Sequence, residues 1–181
     1  RLYVMGEDAT EREATAEEVT RMRALVAEAL KAGALGFATS KAPTHVGYAG
    51  KPVPSRLANT QEIKEIAGAL RDSGRGMMQA TIGIGLLFDE LADIASSLGI
   101  TISWTALLAD LFGPDGHRNV LEQHTAFQAD GIHVVPQVTG RPLMFEYQWK
   151  APFPFESLEL FQPVSAANLE GKKRIYADPA F

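Results

Sequence analysis

The feature of this 181-residue chain that most restricts its fold is a repeated cycle of amphipathic helix, glycine stop and short apolar strand. Thr15-Ala16-Glu17-Glu18 has the form of a capping box, with a hydroxyl to accept from an orphan amide and a glutamate three residues on to reach back. Val19, Met22, Leu25, Val26, Ala29 and Leu30 then recur at helical spacing, and Gly33 marks the stop. A short strand around Leu35 and Phe37 follows. The cycle returns with a helix from Asn59 through Leu70 closed by Gly74, then a strand over residues 76–81. It returns again with an apolar stripe from Leu87 to Leu98 closed by Gly99, then a strand over residues 100–105. Asp115 is the expected cap of a fourth helix carrying Val120, Leu121, His124 and Phe127, and residues 132–138 are the expected fourth strand. Such alternation predicts an α/β fold, a parallel (βα) repeat with right-handed crossovers and strands buried on both faces. Four units make half of an eight-stranded barrel or a small open sheet.

Past Gly140 the rhythm breaks. Residues 141–155 are rich in aromatics and proline, and residues 165–177 return to a helical pattern. Without a low-complexity linker, residues 1–181 read as a single α/β domain; the start at Arg1 suggests a piece of a longer protein. A net charge of −5 argues against a nucleic-acid partner, whose phosphates call for a basic face. The absence of cysteine removes disulfides, thiolate metal sites and a cysteine nucleophile. No apolar stretch approaches the roughly 18 residues of a membrane span, so no membrane partner and a cytoplasmic location are expected. Neither a Gly-x-Gly-x-x-Gly fingerprint nor a Walker loop opens any helix, which leaves a nucleotide site unsupported.

In parallel α/β folds the carboxyl ends of the strands form the functional rim. Here that rim would carry Ser40 and Lys41, Gln79 and Thr81, Ser103 and Thr105, and Gln137 with Arg141. Amides and hydroxyls suit a carbonyl or carboxylate ligand, but none is by itself a strong acid or base at neutral pH. His45, in the loop of residues 41–54, is the histidine placed to bind or shuttle a proton. His124 sits at helical spacing between Leu121 and Phe127 and reads as packing, His133 as a core residue of a buried strand, and His117 as a solvated helix start. With no His-x-His and no His-Glu-x-x-His, no complete metal centre is assignable within the chain. The acidic cluster of Glu7, Asp8, Glu11, Glu13, Glu17 and Glu18 is explained by a solvated helix start.

The order of these segments resembles the middle of D-aminoacylase-like amidohydrolases (amidohydrolase family 3, the N-acyl-D-amino-acid deacylase group). The likeness runs from Val4-Met5-Gly6 and Arg21-Met22-Arg23-Ala24-Leu25-Val26 through Gly33-Ala34-Leu35-Gly36-Phe37-Ala38-Thr39-Ser40. It continues through His45, Gly50-Lys51-Pro52-Val53-Pro54-Ser55, Gly74-Arg75-Gly76 and Pro136-Gln137-Val138-Thr139-Gly140-Arg141-Pro142. The resemblance implies an internal segment, about half, of a TIM-barrel metal-dependent hydrolase. It further implies hydrolysis of a C–N amide bond in an N-acyl-D-amino acid or related small molecule, with zinc in the full-length protein. The family's early His-x-His strand and late metal-binding aspartate would lie outside residues 1–181. Two departures stand out. Where the family's next two strands end in metal-binding histidines, this chain has Gln79 and Thr81, then Ser103 and Thr105. No catalytic residue is therefore assigned. The implied substrate-binding set is Lys41 or Arg141 on the substrate carboxylate, His45 orienting substrate or water, and Gln79, Ser103 and Gln137 lining the pocket. The alternative is a non-catalytic small-molecule-binding domain that has lost its metal. Two open strand edges also predict self-association, or pairing with the barrel's missing segments.

Overall fold

The computed structural model describes all residues except Tyr48, Ala49, Leu143, Phe145 and Pro154. A short helix α1 (Leu2–Met5) and a 3-10 turn (Gly6–Thr10) precede the first long helix, α2 (Ala16–Lys31). Both arms of the capping box form there: Glu18 N–H donates to Thr15 Oγ1, and Thr15 N–H donates to the Glu18 carboxylate. Then come β1 (Gly36–Ser40), a 3-10 turn (Pro54–Leu57), α3 (Thr60–Ser73), β2 (Met77–Thr81), α4 (Phe88–Leu98) and β3 (Thr101–Thr105). The helix α5 (Gly116–Ala129), β4 (Val134–Pro136) and two small helices, α6 (Gln162–Ala166) and α7 (Leu169–Tyr176), complete the chain. Asn59 caps α3 by accepting from Glu62 N–H, and Gly74 ends it in the left-handed region at φ 62°.

The four strands are parallel and adjacent in chain order, β1-β2-β3-β4. Each strand's two faces are chemically distinct because side chains alternate. Met78, Ala80, Ile102, Trp104 and Val134 point to the side packed by the helices and have no solvent exposure. They join Leu70 of α3, Leu91 and Ile94 of α4 and Val120 of α5 in the main core.

The opposite face corrects the expectation of strands buried on both sides. Ala38, Met77 and Val135 are exposed there, while Gln79 and Thr81 are half-buried. Only the parity of Met78, Ala80, Ile102, Trp104 and Val134 is covered by helices, so only that parity builds a core, and the apolar Ala38, Met77 and Val135 on the other stay uncovered.

Three smaller expectations also change. β4 begins at Val134, and His133 is exposed, its carbonyl accepting from Ile102 N–H rather than its ring packing inside. Asp115 stands at the start of α5 at φ 58° and makes no side-chain cap; its carboxylate accepts from Arg118 instead. His117 is only partly solvated: it is half-buried, and its Nδ1 is sealed from solvent without a partner among the described residues. His124 is packed as expected. Its Nδ1–H donates to Val120 O and its Nε2 accepts from the Trp104 indole N–H at 2.8 Å.

Candidate functional site

Strand register arranges the open face in rows. Gln79 lies beside Ser103, which lies beside Val135; one row nearer the carboxyl ends, Ser40 lies beside Thr81, which lies beside Thr105. Gln137 follows β4, and its backbone N–H donates to Trp104 O, which carries the chain past the end of the strand along the same rim. The rim expected from the sequence is thus present, and it is polar.

Its side chains form a connected relay across three strands. Gln79 Nε2 donates to Thr105 Oγ1 at 2.7 Å, Thr105 Oγ1 donates to Gln137 Oε1 at 2.9 Å, and Gln137 Nε2 donates to Ser103 Oγ at 2.8 Å. Gln79 directs a further N–H to Ala80 O at 3.2 Å. Ser103 is the least exposed member of this layer, at 8%, whereas Gln137 is exposed. Three of the proposed binding residues, Gln79, Ser103 and Gln137, therefore meet in one network. Thr105 holds it together. It was legible in the sequence only as a rim residue two positions after Ser103, the spacing that places two strand side chains on one face.

A second pair stands at the β1 end of the rim. Ser40 Oγ and His45 Nδ1 lie 2.6 Å apart, and Ser40 Oγ also accepts from Ala42 N–H. With Nδ1 so occupied, the outward nitrogen of His45 is Nε2. The loop that carries His45 is held at several points. Val46 bridges Pro52, Ser55 Oγ donates to Ser40 O, Lys51 pairs with Glu11, and the Gly50 backbone lies against Ser165 of α6. Across the rim Gly83 passes so near Lys41 that a Cβ there would stand 1.9 Å from Lys41 O. Only the absence of a side chain permits that approach.

Lys41 and Arg141 are placed differently. The Lys41 ammonium donates to Arg56 O at 2.6 Å and Ala58 O at 2.7 Å, so two of its three donors are committed to the backbone. Burial, followed by the nearby Arg1 charge, holds its pKa below the usual lysine value. Arg141 is exposed in the stretch after β4, beside a cleft of about 270 Å³ that it shares with Thr139, Gly140, Pro142 and Met144. Of these two cations Arg141 is the one whose guanidinium has no hydrogen-bond or ion-pair partner among the described residues, and its planar fork suits a carboxylate.

The family resemblance raises the question of metal, and the donor set answers it for this face. Zinc takes imidazole, thiolate or carboxylate ligands; the ends of β2 and β3 offer neutral amide and hydroxyl groups already bonded to one another. Among the described residues no three histidine, aspartate or glutamate side chains gather in a way that could hold a metal ion. The residues on these strands do not fit a zinc site.

Comparison with known proteins bears on the whole arrangement. Three solved structures align with this chain at 27% sequence identity, covering 72% of it and 26% of their own chains, with TM-scores of 0.58, 0.58 and 0.57. The chain resembles D-aminoacylase. One of those structures concerns the binuclear metal centre of D-aminoacylase, another a D-aminoacylase mutant in complex with copper chloride, and the third D-aminoacylase as a novel subset of amidohydrolases. No family model and no curated protein sequence matches. This chain spans about a quarter of the length of D-aminoacylase. The (βα) parallel sheet is thus shared with a larger amidohydrolase, a TIM-barrel protein. Among the described residues no helix is long and apolar enough to cross a membrane.

Proposed function

We propose that this chain is one α/β domain, residues 1–181, forming an internal segment of a metal-dependent amidohydrolase that cleaves the C–N bond of an N-acyl-D-amino acid or a related amide. The observation that carries the reading is the alignment with D-aminoacylase over 72% of the chain, with the polar rim at the strand ends where such folds do their chemistry. In this reading Arg141, with Lys41 as the weaker candidate, takes the substrate carboxylate. His45 orients substrate or water through Nε2, and Gln79, Ser103 and Gln137 line the pocket. Zinc, expected from the family, would be held by residues outside this chain and would supply an activated water. The exposed sheet face and the edges of β1 and β4 support pairing with the missing barrel segments or with another copy. The setting proposed is cytoplasmic, with a small molecule as partner rather than nucleic acid or membrane.

Assay of the intact protein against a panel of N-acyl-D-amino acids tests the proposal. Release of free D-amino acid with stoichiometric bound metal is the expected result; a protein inert to every amide refutes it. The neutral relay favours one second reading, a small-molecule-binding domain that has lost its metal. Metal-free intact protein that binds an amide without turnover would establish that alternative.

A further inference from the structure

The relay is polarised, and its ends show what it is built to take. Gln79 uses both N–H groups, on Thr105 and on Ala80 O, which leaves its Oε1 accepting nothing among the described residues. Gln137 uses its Oε1 and one N–H, which leaves the second N–H without an acceptor among the described residues. Ser103 accepts from Gln137 and, among the described residues, donates to nothing. The β2 side of the open face therefore presents an acceptor, and the β3–β4 side presents two donors. Gln79 and Ser103 are register partners on neighbouring strands, roughly 5 Å apart at the backbone.

We infer that Gln79, Thr105, Gln137 and Ser103 form a neutral clamp for the secondary amide of the ligand and contribute no metal ligand. The ligand's carbonyl oxygen accepts from Ser103 O–H and Gln137 N–H, and its N–H donates to Gln79 Oε1. Thr105 is a positioning residue, fixing which way both glutamine amides face. The inference rests on the amidohydrolase reading for the class of ligand, but its chemistry is that of recognition. Any metal in the intact protein is then ligated from outside β2, β3 and β4. A neutral clamp also explains why these strand ends carry no imidazole: a protonated or metal-bound ring would break the donor–acceptor order that the two glutamines need.

The test compares an amide with its ester isostere in the intact protein. Affinities for N-acetyl-D-leucine and for the analogue with oxygen in place of the amide N–H are measured by calorimetry or by competition. An uncharged acceptor facing an N–H, and losing it, is expected to give about a tenfold preference for the amide. That preference should shrink several-fold in Gln79→Leu, while Ser103→Ala weakens amide and ester alike. Metal content by mass spectrometry should stay the same in both variants. Loss of a whole metal ion from either variant overturns the inference. So does equal affinity for amide and ester, an unchanged ratio in Gln79→Leu, or binding of neither compound. Amide preference without turnover would sink the hydrolase reading and leave the clamp standing; turnover without amide preference would do the reverse.

Discussion

Replacing Trp104 with phenylalanine probes the centre of the helix-covered face. Trp104 is fully buried on β3, its ring 5.0 Å from Phe88 and 5.5 Å from His124, and its indole N–H donates to His124 Nε2 at 2.8 Å. Truncation to phenyl removes two apolar ring carbons, at about 0.8 kcal/mol for each buried group. It also leaves His124 Nε2 without a donor at a site only 4% exposed, a cost of about 1–3 kcal/mol. The total is about 3 kcal/mol at pH 8, measured by urea unfolding followed by far-UV circular dichroism. The double variant Trp104→Phe with His124→Leu is the discriminating control. With both polar partners gone, the orphaned acceptor disappears, and the double loss should fall short of the two single losses added together. A single-variant loss below about 1 kcal/mol, or simple additivity in the double variant, would refute the claim that this hydrogen bond is satisfied in a dry core.

Three further predictions follow from the same packing. Burial lowers the His124 pKa from its ordinary 6.5, so the neutral ring contributes fully above that pH. Below it the unfolded chain binds a proton that the folded ring resists, and stability falls until the lowered folded value is passed. His124→Leu should flatten that part of a stability–pH curve, and an unaltered slope would contradict the assignment. Gly83→Ala forces a Cβ to within 1.9 Å of Lys41 O; overpacking of this kind should lower the thermal midpoint by about 5 °C in a melting experiment. Glu62→Ala removes the only carboxylate paired with the Arg1 guanidinium among the described residues, leaving it the Arg12 carbonyl; with side chains 5% and 3% exposed, the loss should cost about 3 kcal/mol in chemical unfolding. Replacing both members of that pair with apolar residues should recover most of the loss.

Local devices were legible in the chain because they depend on near neighbours. The Thr15–Glu18 capping box, the Asn59 cap, the stops at Gly74 and Gly99 and the apolar stripes of α2, α3 and α4 all lie within a few residues of their partners. Asp115 misleads for an instructive reason. A capping residue type before a helix is only an opportunity, and the left-handed backbone there turns its carboxylate to Arg118. His133 misleads because a run of β-branched residues does not reveal where a strand begins, and one residue of offset reverses inside and outside.

The candidate site divides the same way. That Ser103 and Thr105 share a face follows from strand periodicity, as does the rim position of Gln79. That Gln137, 32 residues beyond Thr105, closes a relay with both follows only from the parallel register of β2, β3 and β4. Lys41 looked like an anion holder from its position, yet the carbonyls of Arg56 and Ala58 take most of its donors.

The sequence by itself determined the βα rhythm, the parallel class of sheet and the polar character of the strand ends, because periodicity and capping are short-range properties of the chain. Tertiary structure alone decided which face the helices seal, which amides and hydroxyls meet, and which cation is tied to backbone carbonyls. Those outcomes depend on how segments tens of residues apart are brought side by side, and no local pattern of residues carries that distance.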